Sequence, residues 1–242
     1  MLSWRLGASG FKARSPLRSA LKARSPLQTV LHRRLLSSSS AATSASKSPL
    51  VLSAAVFGGA NALGFGISVA TGWHYHLDLI GTGAFTAAAL VTAGTESRQR
   101  LSAGLIGLWS AKLAAFLFYR VLQTHHDARL DQTLSTTKGA AGFWGSSFIW
   151  GFVCSLPHTA AAGVPLSARP PLGRALNVIS VAAIVTGLGV ETLADAQKWR
   201  FKAEPTNHGR FCDTGVWQIS QHPNWFGNWL FWTGVLALNA PT

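Results

Sequence analysis

Acid is scarce in this sequence. Eight Asp and Glu stand against 21 Lys and Arg, a formal net charge of +13 over 242 residues. None of the eight falls in the first 50 residues, which hold nine Lys and Arg. The remainder is only +4, so the basicity belongs to the N-terminus and makes no case for nucleic-acid binding. Two cysteines, Cys154 and Cys212, exclude a disulfide framework and a zinc set. No Gly-x-Gly-x-x-Gly follows a strand. Gly64-Phe65-Gly66 and Gly81-Thr82-Gly83 lack the third glycine and lie in apolar runs, which excludes a Rossmann domain. His74, His76, His125 and His126 show neither His-x3-His nor His-x2-His-His spacing. Membrane di-iron chemistry is therefore excluded, and no metal is expected. Only two tyrosines are present, Tyr75 and Tyr119.

What the N-terminus does contain is Arg, Ser, Ala and Leu. Lys-Ala-Arg-Ser-Pro-Leu occurs twice, at 12–17 and 22–27, ahead of Arg33-Arg34-Leu35-Leu36 and four serines. No long apolar core suits a secretory signal. An Arg-rich, Ser-rich, acid-free segment has the composition of an organelle transit peptide, here residues 1–47. Six arginines against three lysines favour a mitochondrial membrane, with plastid or endoplasmic reticulum as alternatives.

From residue 48 onward, long apolar runs dominate. They cover roughly 50–72, 77–94, 101–122, 143–165, 174–194 and 224–240. Each approaches the ~20 residues that cross a ~30 Å hydrocarbon core. The expected fold is all-α, a polytopic transmembrane bundle of about six spans, with the lipid bilayer as partner. Lys112 is the main charge inside a run. Gly58, Ala62, Gly66 and Ala70 recur every fourth residue and suggest a small-residue packing seam. By parity, 73–76, 123–142 and 195–223 share one membrane face.

The richest stretch runs from Glu191 to Gly227. It holds half of the chain's acid: Glu191, Asp195, Glu204 and Asp213. Glu191, Asp195, Lys198 and Lys202, spaced +4, +3, +4, share a face of a helix. That face reads either as a salt-bridge ladder or as a phosphate site whose carboxylates hold the lysines. Trp199 and Phe201 point elsewhere and suit the lipid interface. Gly209 and Gly215 bracket a turn-rich loop. Pro223 then suits the first turn of a returning helix, capped by the polar residue before it. Further upstream, Arg120, Asp127, Arg129 and Asp131 read as a salt-bridge loop or as a phosphate grip.

Three motifs carry a resemblance: Glu191-x3-Asp195-x-Gln197-Lys198-x2-Phe201-Lys202, Gly215-x-Trp217, and His222-Pro223-Asn224-x-Phe226-Gly227. Together with Arg120-x6-Asp127-x-Arg129-x2-Asp131, they resemble an uncharacterised family of membrane proteins related to the C-terminal domain of steroid 5-alpha-reductases. The resemblance covers roughly residues 95–240. It implies an NADPH pocket between membrane helices, with Arg120, Asp127, Arg129, Asp195, Lys198, His222, Asn224 and Asn228 as candidates. It also implies hydride transfer to a carbon–carbon double bond of a lipid or steroid-like enone, a hydrophobic small molecule. A proton donor is needed for such chemistry, and Tyr75 is the candidate. The family carries an acid where Asn228 stands and arginine where Lys112 stands. It also carries a further membrane segment and a basic-aromatic tail beyond the position of Thr242. The 48–242 domain is thus either truncated or has lost part of the pocket. Two alternatives stay open: a non-catalytic scaffold of the same fold, and a membrane methyltransferase using S-adenosylmethionine.

Overall fold

The computed structural model describes residues 48–125, 128–164, 168 and 171–240, with only the backbone of 128, 129 and 131. All of it belongs to one compact unit, Ala45–Thr242. The transit reading of 1–47 lies outside the described residues. So do Asp127 and the side chains of Arg129 and Asp131.

The fold is all-helical. Seven α-helices occur among the described residues: α1 Pro49–Thr71, α2 Leu77–Thr92, α3 Ser97–Thr124, α4 Ala128–Leu134, α5 Thr137–Gly163, α6 Arg174–Ala203 and α7 Pro223–Asn239. Their ends follow local chemistry. Pro49 opens α1, and Gly72, with φ 67°, closes it in the left-handed region. Thr136 caps α5, its hydroxyl accepting from the Gly139 N–H at 3.0 Å. Six of the helices stand on the six apolar runs. They differ at the ends, because helices continue into polar sequence beyond an apolar stretch: α3 starts at Ser97, α5 at Thr137, and α6 runs on to Ala203.

Three helices, α1, α3 and α6, are long and apolar enough to cross a membrane. An integral membrane protein is the reading they carry. At 1.5 Å per residue, α2 and α7 reach only about 24 and 26 Å, short of the ~30 Å core. α5 has the length but is diluted by Lys138, Ser146, Ser147, Ser155 and His158. Large apolar side chains face outward from these helices, Leu63, Ile149, Ile179 and Trp229 among them, as a lipid-facing surface requires.

α6 lies along α7, while α1, α2 and α5 pack together and α3 lies on α2. Phe57, Phe85, Trp109, Phe231 and Trp232 form a continuous aromatic core, with neighbouring ring centroids 5.0–5.4 Å apart. The expected seam on α1 is not the packed one. Ala62, Gly66 and Ala70 are exposed, and nothing stands within 4 Å of a Cβ built on Gly66. Ser53, Phe57, Asn61, Gly64 and Ser68 are buried instead. A strict four-residue repeat drifts about 40° per step at 3.6 residues per turn, whereas alternating steps of three and four hold one face. Trp144 of α5 lies flat over Gly64, leaving no room there for a side chain.

Candidate functional site

Two asparagines of α7 and two carboxylates of α6 build the inner part of the site. Asn224 Nδ2 donates to Asp195 Oδ1 at 3.1 Å. One turn further in, Asn228 Nδ2 donates to Glu191 Oε1 at 3.3 Å. Both pairs are spaced by four residues on antiparallel helices, so the contacts repeat turn for turn. The helices approach this closely because Gly187 and Gly227 meet at the crossing: a Cβ on either would fall 2.5 Å from backbone atoms of the other helix.

Glu191 is the most enclosed of these groups, with its side chain 4% exposed. Besides Asn228, it accepts from Trp109 Nε1 at 2.9 Å and Lys112 Nζ at 3.4 Å. The charge inside the third run thus meets the carboxylate at the end of another. A buried carboxylate needs such a set of donors.

Outward along α6 the chemistry changes sign. Lys198 Nζ lies 4.8 Å from the ring centre of Trp217, a cation–π contact. Lys202 Nζ donates to the Arg210 carbonyl. Both lysines line a cavity of about 700 Å³ with Phe211, Cys212, Trp217, Gln221 and His222. The expected salt-bridge ladder on the four-residue face is absent, and the carboxylates do not hold the lysines. No described ion pair joins Glu191 or Asp195 to Lys198 or Lys202. The carboxylates serve α3 and α7, and the lysines are held by the loop.

That loop is pinned to α6 at both ends. Asn207 Nδ2 donates to the Phe201 carbonyl at 3.0 Å, and Arg210 pairs with Asp213 at 3.6 Å. Phe201 is buried rather than interfacial, and Trp199 packs edge-on against Tyr119. Gly215 turns the chain at φ 58°. The Val216 N–H then donates to Gln197 Oε1, and Trp217 Nε1 to the Ala194 carbonyl, each at 2.9 Å. The left-handed backbone at Gly215 is what seats Trp217. Gly215→Ala should cost about 1 kcal/mol from the left-handed backbone, and more because the new Cβ displaces the Gln197 amide that holds the Val216 N–H. The expected result is faster protease cleavage within 205–222, with global unfolding little moved. Unchanged cleavage would show that the loop does not depend on this turn.

The structure thus sorts the expected site residues. Lys198 and His222 line the cavity. His222 precedes α7 without capping it by its side chain. Asp195, Asn224 and Asn228 stand behind it as the inner ladder. Arg120 faces Asp78, Nη2 to Oδ2 at 4.0 Å, and Tyr75 donates its hydroxyl to the His125 carbonyl at 3.1 Å; neither lines the cavity. Asp127 and the Arg129 side chain lie outside the described residues. The sequence reading missed Phe211, Cys212 and Gln221 as lining residues, and no periodic pattern marks them. Trp217 and Lys202 did stand in the motifs.

No curated protein and no solved structure matches the chain. Residues 64–242, which contain every element of this site, match the family described as "Protein of unknown function (DUF1295)", and the chain belongs to that family.

Proposed function

We propose that the protein is a membrane-embedded reductase that uses NADPH to reduce a carbon–carbon double bond of a lipid enone. One observation carries this reading: the cavity at the end of α6 combines two ammonium groups, an imidazole and two aromatic rings. Lys198 and Lys202 supply charge for phosphates, and Trp217 and Phe211 supply ring faces for a base. Its volume lies within the ~300–1,000 Å³ of small-molecule pockets. The resemblance to the relatives of steroid 5-alpha-reductases supports the same assignment. When bound, NADPH would supply the hydride. The chain's own residues would clamp phosphates, orient the nucleotide against α6 and exclude water beneath the loop. Tyr75 is the candidate proton donor; it would have to release the His125 carbonyl to act. The N-terminal composition supports a mitochondrial membrane, to be checked by imaging a C-terminally tagged chain.

The test is nucleotide binding to the detergent-purified protein, followed by energy transfer from tryptophan to reduced nicotinamide. NADH and S-adenosylmethionine run alongside. Saturable NADPH binding is expected. Lys198→Ala should weaken it at least about tenfold, the worth of one charge-assisted hydrogen bond. Asn224→Ala should weaken it less, through Asp195. Folded protein that binds no NADPH would sink the reductase reading. Selective binding of S-adenosylmethionine would favour the methyltransferase. Silence from all three would favour a scaffold, a reading for which the fully engaged Glu191 already speaks.

A further inference from the structure

A second cavity lies between α2 and α5, away from the lysine-lined one. It measures about 270 Å³. α2 gives it Asp78, Gly81 and Thr82, and α5 gives Ser146, Ser147 and Trp150. Several hydroxyls elsewhere in the helices close back onto their own backbone. Ser155, Thr159, Ser180 and Thr233 each donate to the carbonyl four residues earlier at 2.7–2.9 Å. The side chains of Thr82, Ser146 and Ser147 make no such bond among the described residues. Three hydroxyls left open in one apolar-walled groove are costly in hydrocarbon unless something polar meets them.

The depth fits one end of an amphiphile. Asp78 is the second residue of α2, and Thr82 lies about 6 Å further in along the helix axis. Along α2 the polar groups therefore lie near its N-terminal end, the end that carries the Tyr75–His125 contact. Trp150 and Ser146 are exposed at the rim. At 270 Å³ the groove is smaller than a whole-ligand pocket, so it takes a headgroup and leaves the tail in the bilayer. Charge narrows the choice further. Asp78 disfavours an anionic headgroup, and its pairing with Arg120, 4.0 Å away, makes it a poor magnet for a cation. What remains is a neutral headgroup that both donates and accepts.

We propose that the groove between α2 and α5 binds the hydroxyl end of a neutral lipid alcohol, entering sideways from the bilayer. The proposal does not depend on the nucleotide reading. It is tested with full-length protein in phosphatidylcholine nanodiscs and a long-chain primary alcohol carrying a diazirine and an alkyne. The methyl ether of the same alcohol is the comparator. Crosslinks should concentrate in peptides covering 77–82 and 143–150. They should fall at least fivefold with the ether and in the Ser146→Ala/Ser147→Ala double variant, with the unfolding temperature unchanged. Gly81→Val should have the same effect by filling, since a Cβ at Gly81 already stands 3.1 Å from Ser147 Oγ. If a variant unfolds, competition in the unaltered protein decides: unlabelled alcohol, but not its ether, must suppress the crosslinks. Labelling spread evenly over the lipid-facing helices, or equal labelling by the ether, overturns the proposal. NADPH binding is expected to survive in these variants, and its absence in the unaltered protein would fail the reductase reading while leaving this one standing.

Discussion

Gly227→Ala should destabilise the fold by about 3 kcal/mol, the upper end of what overpacking costs. The added Cβ would stand 2.5 Å from the Glu191 nitrogen and 2.7 Å from the Gly187 oxygen, both backbone atoms. A side chain in the way could change rotamer, but a helix backbone can only retreat. The intrinsic preference of a helix for alanine over glycine returns about 1 kcal/mol and does not reverse the sign. Gly189→Ala is the control. It lies two residues from Gly187 on the same helix, with nothing within 4 Å of its built Cβ. It should be neutral or slightly stabilising. Unfolding in detergent against increasing dodecyl sulfate reads both. Equal behaviour of the two variants would show that α6 and α7 do not cross closely at this point. The effect should also reach the cavity: prising α7 from α6 removes Asn224 from Asp195 and shifts His222, so nucleotide binding is expected to fall with stability.

That crossing was only partly legible in the sequence. Six helices could be placed because apolar runs mark them, though only three of them, among the described residues, are long and apolar enough to cross a membrane. Glycine's packing role was assigned to α1, where a four-residue repeat stood out. The glycines that bring α6 and α7 together are Gly187 of α6 and Gly227 and Gly234 of α7. A contact between helices depends on their relative rotation, which one strand of sequence does not carry. The helix ends were misplaced for a related reason. Hydropathy marks where lipid ends, while the hydrogen-bonded ladder of α6 continues to Ala203.

The site shows the same division. Local spacing correctly put Glu191, Asp195, Lys198 and Lys202 on one face, and the resemblance singled out Lys198 and His222, which meet in one cavity. Partners were not legible. Arg120 meets Asp78, which no spacing in the sequence ties to it. Lys112 was conspicuous as a charge in an apolar run, yet only the fold joins it to Glu191 across 79 residues of chain. The equal four-residue spacings of Asn224/Asn228 and Asp195/Glu191 were the one available signal of pairing. Phe211 and Gln221 reach the cavity from an irregular loop, where no period exists to read.

Glu191→Ala should be the most damaging substitution of a polar residue, costing roughly 3–5 kcal/mol, as expected when one partner of a buried pair is removed. Its carboxylate is the shared acceptor of Trp109, Lys112 and Asn228. Truncation leaves two neutral donors without a partner and strands the Lys112 ammonium, only 25% exposed, among membrane helices. Glu191→Gln should cost less. Its oxygen keeps one donor, but its amide group faces donors that cannot accept. A double variant separates charge from shape. Lys112→Met with Glu191→Gln removes both charges and keeps the packing, so it should be less destabilised than the two single variants together, by about 1–3 kcal/mol of coupling. Strict additivity would show that the pair is not joined. The consequence for function lies about two to three turns away along α6. Glu191 fixes the inner half of α6 to α3 and α7, and the same helix carries Lys198 and Lys202 to the cavity. The charge-neutral pair should therefore retain nucleotide binding if Glu191 only anchors α6. Loss of binding by a double variant that still folds would move Glu191 from the frame of the site into its chemistry.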